Sequence, residues 1–153
     1  MKFFLTSLII LTTFLACKDN TTTNNAITED NKKPSVEGTW KLIMRYNYDN
    51  NKIVDSFTSD NSFQQVKIYT KEKVMWTRHL TADSTDWFGY GSYKYDGNIL
   101  TEVLDYGSKT MQPAINNNTQ FKIEIEITDD DLNSVFIDDD GNRLFSEKYK
   151  RIE

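Results

Sequence analysis

The chain has 153 residues, with 18 basic and 23 acidic side chains and one cysteine. This length is sufficient for one domain of ordinary size but not for a second hydrophobic core. The acidic balance, without a cluster of Lys and Arg, argues against nucleic acid as a partner. A lone cysteine excludes an intrachain disulfide and the cysteine-based metal and redox motifs.

Residues 1–16 have the pattern of an export signal, in which Lys2 supplies the positive charge and residues 3–14 form an apolar stretch. A membrane-spanning helix needs about 20 apolar residues, so this stretch is too short to be one. The residues Leu, Ala and Cys at 15–17 follow directly and resemble the lipobox of bacterial lipoproteins. That resemblance implies cleavage before Cys17 and acylation of its sulfur. It also implies attachment to a membrane of the cell envelope, with the outer membrane as the expected place.

Residues 17–34 are predicted to be a flexible tether that begins with the acylated cysteine. After Cys17 only Ala26 and Ile27 are apolar, too little to offset the entropy of ordering the segment. Loss of Lys2 with the signal leaves 17 basic residues against 23 acidic ones, a net charge of −6. Membrane association is therefore expected from the acyl chains rather than from surface charge. Whether the domain faces the periplasm or the outside stays open.

Residues 35–153 are predicted to form one all-β domain, because apolar and polar residues alternate there in short runs. The clearest run is Phe121–Ile127, which places four apolar side chains on one face and three charged ones on the other. No segment shows a capped helical pattern. The pattern predicts about eight strands, at residues 39–46, 63–69, 74–80, 88–95, 99–106, 121–127, 132–138 and 143–152.

The connections predict an antiparallel up-and-down meander with two unlike ends. Those at 47–62, 81–87 and 107–118 are long and fall at one end, whereas the connections at the other end are short. Asp-Gly at 96–97 and at 140–141 is typical of two-residue hairpin turns. An eight-stranded meander closes into a barrel whose interior can hold one small ligand, so the long-loop end is the expected mouth.

Gly38 and Trp40 at the start of the first strand resemble the Gly-x-Trp signature of lipocalins. The segment 148–152 resembles the last strand of lipocalin-like domains, in which an arginine, here Arg151, packs over that tryptophan. The resemblance extends over residues 36–153 and is to the small lipocalin-like domain lipoproteins of Gram-negative bacteria. It implies a lipocalin-like barrel whose closed end is plugged by Trp40 and Arg151. The chain lacks the C-terminal helix and disulfide of larger lipocalins, so their ligand residues are not transferred.

No set of catalytic residues and no metal or cofactor site is indicated, since the chain has one histidine and one cysteine. His79 lies within a predicted strand and is expected to point outward. The candidate ligand-binding residues are instead polar and aromatic side chains of three predicted strands. They are Trp76, Arg78, Tyr93, Tyr95 and Glu102.

The orientation of the Glu102 side chain determines whether the predicted barrel interior contains a charged group. If Leu100 and Leu104 face inward, Glu102 does too, because side chains alternate along a strand. A buried carboxylate needs a partner, for which Arg78 is the candidate, with Tyr93 and Tyr95 as further donors. In the alternative, the opposite face of this strand is inward and Glu102 is exposed.

Three functions remain open. The first is a tethered binding protein that takes an apolar or amphipathic small molecule into the barrel through the long-loop end. The second is an interaction or structural module of the envelope, with a barrel filled by its own aromatic side chains. An isomerase or cyclase that uses Glu102 with Arg78 is a third alternative. A cavity of about 300 Å³ or more at the long-loop end would favour the first. The sequence does not indicate an oligomeric state.

Overall fold

The computed structural model describes residues 34–82, 84–117 and 120–153. The predicted signal segment 1–16, Cys17 and the predicted tether up to residue 33 lie outside these residues. Within the described ranges, nine antiparallel strands form one sheet, and eight of them close into a barrel. The elements are β1 (Gly38–Asp49), β2 (Lys52–Thr58), β3 (Phe63–Tyr69), β4 (Lys73–Leu80), β5 (Thr85–Asp96), β6 (Ile99–Gly107), α1 (Gln112–Asn117), β7 (Phe121–Ile127), β8 (Asp131–Ile137) and β9 (Arg143–Arg151).

The barrel closes at β1, which pairs with β3 on one side and with β9 on the other. Trp40 lies opposite Lys67 in the first pairing and opposite Arg151 in the second. The remaining barrel strands pair in chain order from β3 to β9. The predicted all-β meander is therefore confirmed, with lipocalin-like strand order and closure.

The segment 47–62 was expected to be a long loop, and that prediction is wrong. It contains β2, an extra strand that pairs with the second half of β1 after β1 has separated from β3. The turn between β1 and β2 is made by Asn50 and Asn51, with φ values of 49° and 60°. Asparagine is one of the few residues that tolerate positive φ, so this pair allows a two-residue hairpin turn.

The connection at 81–87 was also expected to be long, and it is short because β5 begins at Thr85. Thr85 pairs with Leu80 and Asp86 pairs with His79, so the strand starts earlier than its apolar residues suggested. The connection between β6 and β7 carries α1, which is six residues long. Among the described residues, no helix is long and apolar enough to cross a membrane.

The two Asp-Gly turns differ from each other. Gly97, with a φ of 64°, forms a two-residue connection with Asn98 between β5 and β6. The second Asp-Gly pair lies in a five-residue loop at 138–142 instead. There the Asp138 carboxylate accepts hydrogen bonds from the backbone N–H groups of Asp140 and Asn142. This carboxylate therefore stabilises its own turn.

The closed end of the barrel is built on Trp40, which is fully buried. The Arg151 guanidinium lies 4.0 Å from the centre of the Trp40 ring, so the predicted contact is present. Arg151 also donates hydrogen bonds to the backbone carbonyls of Ser35 and Glu37. Gly38, at a φ of 130°, lies against the Arg151 guanidinium, and a Cβ atom there would collide with it. This cluster joins the first and last strands.

The hydrophobic core fills the half of the barrel next to Trp40. Because the strands are antiparallel, the residues near the start of β1, β4, β6 and β8 and near the end of β3, β7 and β9 meet at this level. Its fully buried members are Leu42, Tyr69, Val74, Leu100, Ile123, Leu132 and Tyr149. The open half of the barrel has a different, partly charged interior.

Candidate ligand-binding site

A cavity of about 580 Å³ occupies the open half of the barrel. On one side it is bounded by α1, and on the other by the ends of β7, β8 and β9 that lie at the open end of the barrel. The loop that contains Asp138 and Asp139 forms part of its rim. The side chain of Asp139 is 96% exposed, so the cavity reaches solvent at this point. The predicted mouth is therefore at the correct end of the barrel.

Most of the cavity wall near the open end is apolar, and α1 supplies one side of it. Gly107, at the end of β6, allows the close approach of α1, because a Cβ atom there would lie 3.0 Å from the Ile115 side chain and 3.2 Å from that of Met111. The apolar lining residues are Trp76, Trp87, Leu104, Met111, Ala114, Phe121, Phe136, Ile137, Leu144 and Phe145.

The base of the cavity is a charged network centred on Glu147, which is 1% exposed. Its Oε1 atom accepts hydrogen bonds from Arg45 at 3.1 Å and from Arg78 at 2.8 Å. Its Oε2 atom accepts from Gln65 at 3.1 Å and from the Tyr149 hydroxyl at 2.5 Å. Both carboxylate oxygens are thus fully used by neighbouring side chains.

The network keeps Glu147 ionised. Burial alone would raise its pKa, but the charges of Arg78, Lys67 and Arg45, with the Tyr149 hydrogen bond, outweigh burial and lower the pKa below its ordinary value. Burial raises the pKa of Tyr149 well above its ordinary value, and the negative charge of Glu147 raises it further. Tyr149 therefore remains a hydrogen-bond donor.

Glu102 is the second buried carboxylate, at 2% exposure. Lys67 Nζ lies 3.1 Å from its Oε1 atom, and the Tyr69 hydroxyl donates to the same oxygen at 2.5 Å. Burial and the adjacent Glu102 charge raise the pKa of Tyr69 well above its ordinary value. The inward orientation of Glu102 is thus the correct one of the two alternatives.

A β-bulge in β1 brings Arg45 into the barrel. Leu42 pairs with Tyr149 of β9, and Met44 pairs with Lys148, the residue before Tyr149. Ile43 is therefore an additional residue in β1. An extra residue reverses which face the following side chains occupy. Arg45 is consequently on the same face as Leu42 and lies opposite Glu147.

Of the predicted ligand-binding residues, Trp76, Arg78 and Glu102 line the cavity. The expected pairing of Glu102 with Arg78 is wrong. Arg78 lies opposite Gln65 of β3, donates to its side-chain oxygen at 2.6 Å and reaches Glu147. Lys67 is closer to Glu102 because it lies one inward position nearer the closed end of β3.

Tyr93 and Tyr95 were expected to line the cavity, and they do not. Both lie in the half of β5 nearer the closed end, where Tyr93 pairs with Glu102 and Tyr95 with Leu100 of β6. The Tyr93 ring contacts that of Tyr69 at 5.0 Å, and its hydroxyl donates to the backbone carbonyl of Thr70. Tyr95 is an exposed side chain. They therefore support the barrel without facing the cavity.

The apolar residues of β2 do not line the cavity. Ile53 and Val54 are exposed on β2, and neither lines the cavity. Phe57 packs edge-on against Phe63, with ring centres 5.0 Å apart. These residues belong to the outer hairpin because β2 lies beside β1 rather than over the mouth.

Several polar and aromatic residues that line the cavity were not identified from the sequence. They include Arg45, Gln65, Lys67, Trp87 and Glu147. Glu147 carries the same signal as Glu102, since it stands between Phe145 and Tyr149 at alternate positions. Arg45 carries no such signal because the bulge changes its face.

His79 is partly exposed, with Nδ1 2.6 Å from an Asp86 oxygen, and it does not line the cavity. This agrees with its expected outward orientation. The described part of the chain contains no cluster of three or more His, Cys, Asp or Glu side chains that could hold a metal ion.

Comparison with known proteins supports the fold. The chain resembles the crystal structure of a lipocalin-like protein from Bacteroides uniformis, with a TM-score of 0.53 and 14% identity, over 76% of this chain and 97% of that one. An uncharacterized protein from Bacteroides eggerthii has a TM-score of 0.49 and 14% identity, over 76% and 99% of the two chains. No protein-family model and no curated protein matches the sequence. The first likeness agrees with a lipocalin-like fold.

Glu147→Gln tests the charged network. We expect it to lower the free energy of unfolding by about 3–5 kcal/mol near neutral pH, because Arg45 and Arg78 lose their common anion. The lowered pKa of Glu147 gives stabilisation that is present above the unfolded value of about 4.3 and is lost as pH falls through the folded value. Urea unfolding across this range should therefore show a smaller difference between variant and wild type in acid.

The matched control is Glu72→Gln, at an exposed position between β3 and β4. It removes the same charge without breaking the network, so its stability should follow wild type at every pH. Equal effects of the two substitutions would contradict the role given to Glu147.

Proposed function

We propose that this protein is a lipocalin-like binding protein that takes a small apolar or amphipathic molecule into its barrel and is held at an envelope membrane by acylated Cys17. The cavity of about 580 Å³ carries the proposal. Ligand pockets of proteins have volumes of about 300–1,000 Å³ and are mostly apolar with a few polar groups. The cavity matches that description in its volume, in its mostly apolar wall and in the few polar groups at its base.

The cavity also weighs against the rival interpretation of a barrel filled by its own side chains. Trp40, Tyr69 and Tyr149 fill the closed half, whereas Trp76 and Trp87 line open space. Close packing of the whole interior would bury more apolar surface, so an open cavity of this size carries a cost in stability. Binding of a small molecule gives a reason for that cost.

Binding also accounts for the site better than catalysis does. Glu102 and Arg78, the pair required by an isomerase or cyclase, line the same cavity but bond to different partners. A general acid or base must reach the reacting proton, whereas the Glu102 side chain is 2% exposed and its Oε1 atom is already bound by Lys67 and Tyr69. We therefore assign no catalytic residue, no cofactor and no nucleic-acid partner.

Phenylnaphthylamine, a neutral dye that fluoresces in apolar sites, tests the cavity. The domain should bind one equivalent of dye, with quenching of the emission of Trp76 and Trp87. Ala114→Trp places an indole from α1 into the cavity and should abolish binding. Gln112→Trp adds the same group on the exposed side of α1 and should leave dye binding unchanged.

Native mass spectrometry of the domain purified from envelope extract complements the dye. It should show a bound small molecule in the wild-type protein and none in Ala114→Trp. Equal dye binding by the two tryptophan variants, or none by the wild type, would contradict the proposed function.

Cys17→Ser tests the anchor. In a Gram-negative host, wild-type protein should incorporate radiolabelled palmitate and sediment with membranes, because two or three acyl chains give stable attachment. The variant should lose both properties. Cys17→Ser combined with Thr22→Cys returns a thiol outside the lipobox and should not recover them. Membrane association of either variant would contradict anchoring through Cys17.

A further inference from the structure

The charges at the base of the cavity do not balance. Among the described lining residues, the side chains there include three cations, Arg45, Lys67 and Arg78. The carboxylates at the same level are Glu102 and Glu147. Lys67 neutralises Glu102, while Arg45 and Arg78 share the single charge of Glu147. The interior therefore carries one positive charge in excess.

The lining residues at the mouth, Lys122, Asp138 and Asp139, carry a net charge of −1, at the end of the cavity that is open to solvent. Lys122 and Asp139 form a pair at 3.0 Å, in which the Asp139 side chain is 96% exposed. The Asp138 carboxylate is bound by the backbone of its own turn. Water and salt screen exposed charges, whereas buried charges keep most of their field. The excess positive charge therefore makes the electrostatic potential at the base of the cavity positive.

Arg45 and Arg78 have donors left for a ligand. A guanidinium carries five N–H donors. Among the described residues, Arg78 bonds through Nε to Gln65 and through Nη2 to Glu147, and Arg45 through Nε to Asn47 and through Nη1 to Glu147. The Arg45 side chain is 17% exposed and that of Arg78 is 20% exposed, and both line the cavity, whereas the Glu147 side chain is 2% exposed. The exposed part of the network is therefore cationic.

We infer that the ligand is an amphipathic molecule with one anionic head group, such as a carboxylate or sulfonate, bound head-first. This rests on the proposed function and specifies its ligand class. The head group contacts the guanidinium groups of Arg45 and Arg78, whose planar donors match an oxyanion. The apolar body lies against Trp76, Trp87 and α1. One negative charge neutralises the excess in the buried layer.

Two dyes with the same aromatic body separate charge from apolar binding. Anilinonaphthalene sulfonate is the anionic counterpart of phenylnaphthylamine. The dissociation constant of the neutral dye divided by that of the anionic dye therefore reports the contribution of the sulfonate, and a higher ratio means a stronger preference for the anion. For the wild-type domain the anion should bind at least about tenfold more tightly. Decanoate should displace it, and decanol should do so less well.

Substitutions that change the excess charge in opposite directions should move this ratio in opposite directions. Arg45→Met removes the excess and should reduce the preference for the anion about tenfold. Glu102→Gln doubles the excess and should increase the preference, while the amide can still accept from Lys67 and Tyr69. Lys148→Met removes the same charge as Arg45→Met from the exposed face of β9 and should leave the ratio at its wild-type value.

The outcomes distinguish this inference from the proposed function. Failure of both dyes to bind would overturn the proposed function. Binding of the neutral dye as tightly as the anion would overturn the inference of an anionic ligand and leave the binding protein intact. If circular dichroism shows Arg45→Met to be unfolded, Glu102→Gln decides, once its near-ultraviolet spectrum is shown to match that of the wild type, because the anionic dye also binds partly unfolded protein. An unchanged or lowered ratio in Glu102→Gln would overturn the inference.

Discussion

Glu147 is held as an ion inside the barrel by Arg45 and Arg78, and the open half of the interior is arranged around that interaction. Removing ions from water costs several kcal/mol each, and apolar residues of similar volume often give a protein that is as stable or more so. Stability alone therefore does not account for a charged layer here. The proposed ligand accounts for the charged layer, since Arg45 and Arg78 extend into a cavity that a small molecule can occupy.

Three local features of the backbone position this layer. The bulge at Ile43 reverses the faces of β1 and brings its arginine opposite Glu147. Gly107 lets α1 pack against β6, which forms an apolar wall beside the charges. The closed end, where Trp40 and Arg151 join the first and last strands, keeps the floor of the cavity fixed. The barrel thus has an apolar core, a charged layer and an open upper half.

The sequence was sufficient for the eight barrel strands because strand alternation and turn residues are local signals. The contact of Trp40 with Arg151 was implied by the resemblance to lipocalin-like domains. The sequence pattern missed β2, whose turn is formed by two asparagines rather than by Asp-Gly. The site was only partly predictable, since the partner of Glu102 depends on which strands meet across the interior. Lys67 could not be chosen over Arg78 without the register, and no pattern in the residues reveals the bulge in β1.

In the proposed complex, the barrel holds an anionic amphipathic molecule with its head group at the charged layer. A crystal structure of the domain with decanoate bound shows where such a head group lies. Carboxylate oxygens should be at about 3 Å from the guanidinium nitrogens of Arg45 or Arg78, with the alkyl chain between Trp76 and α1. Decanoate on the outer surface, or with its carboxylate at the mouth beside Asp139, would contradict it.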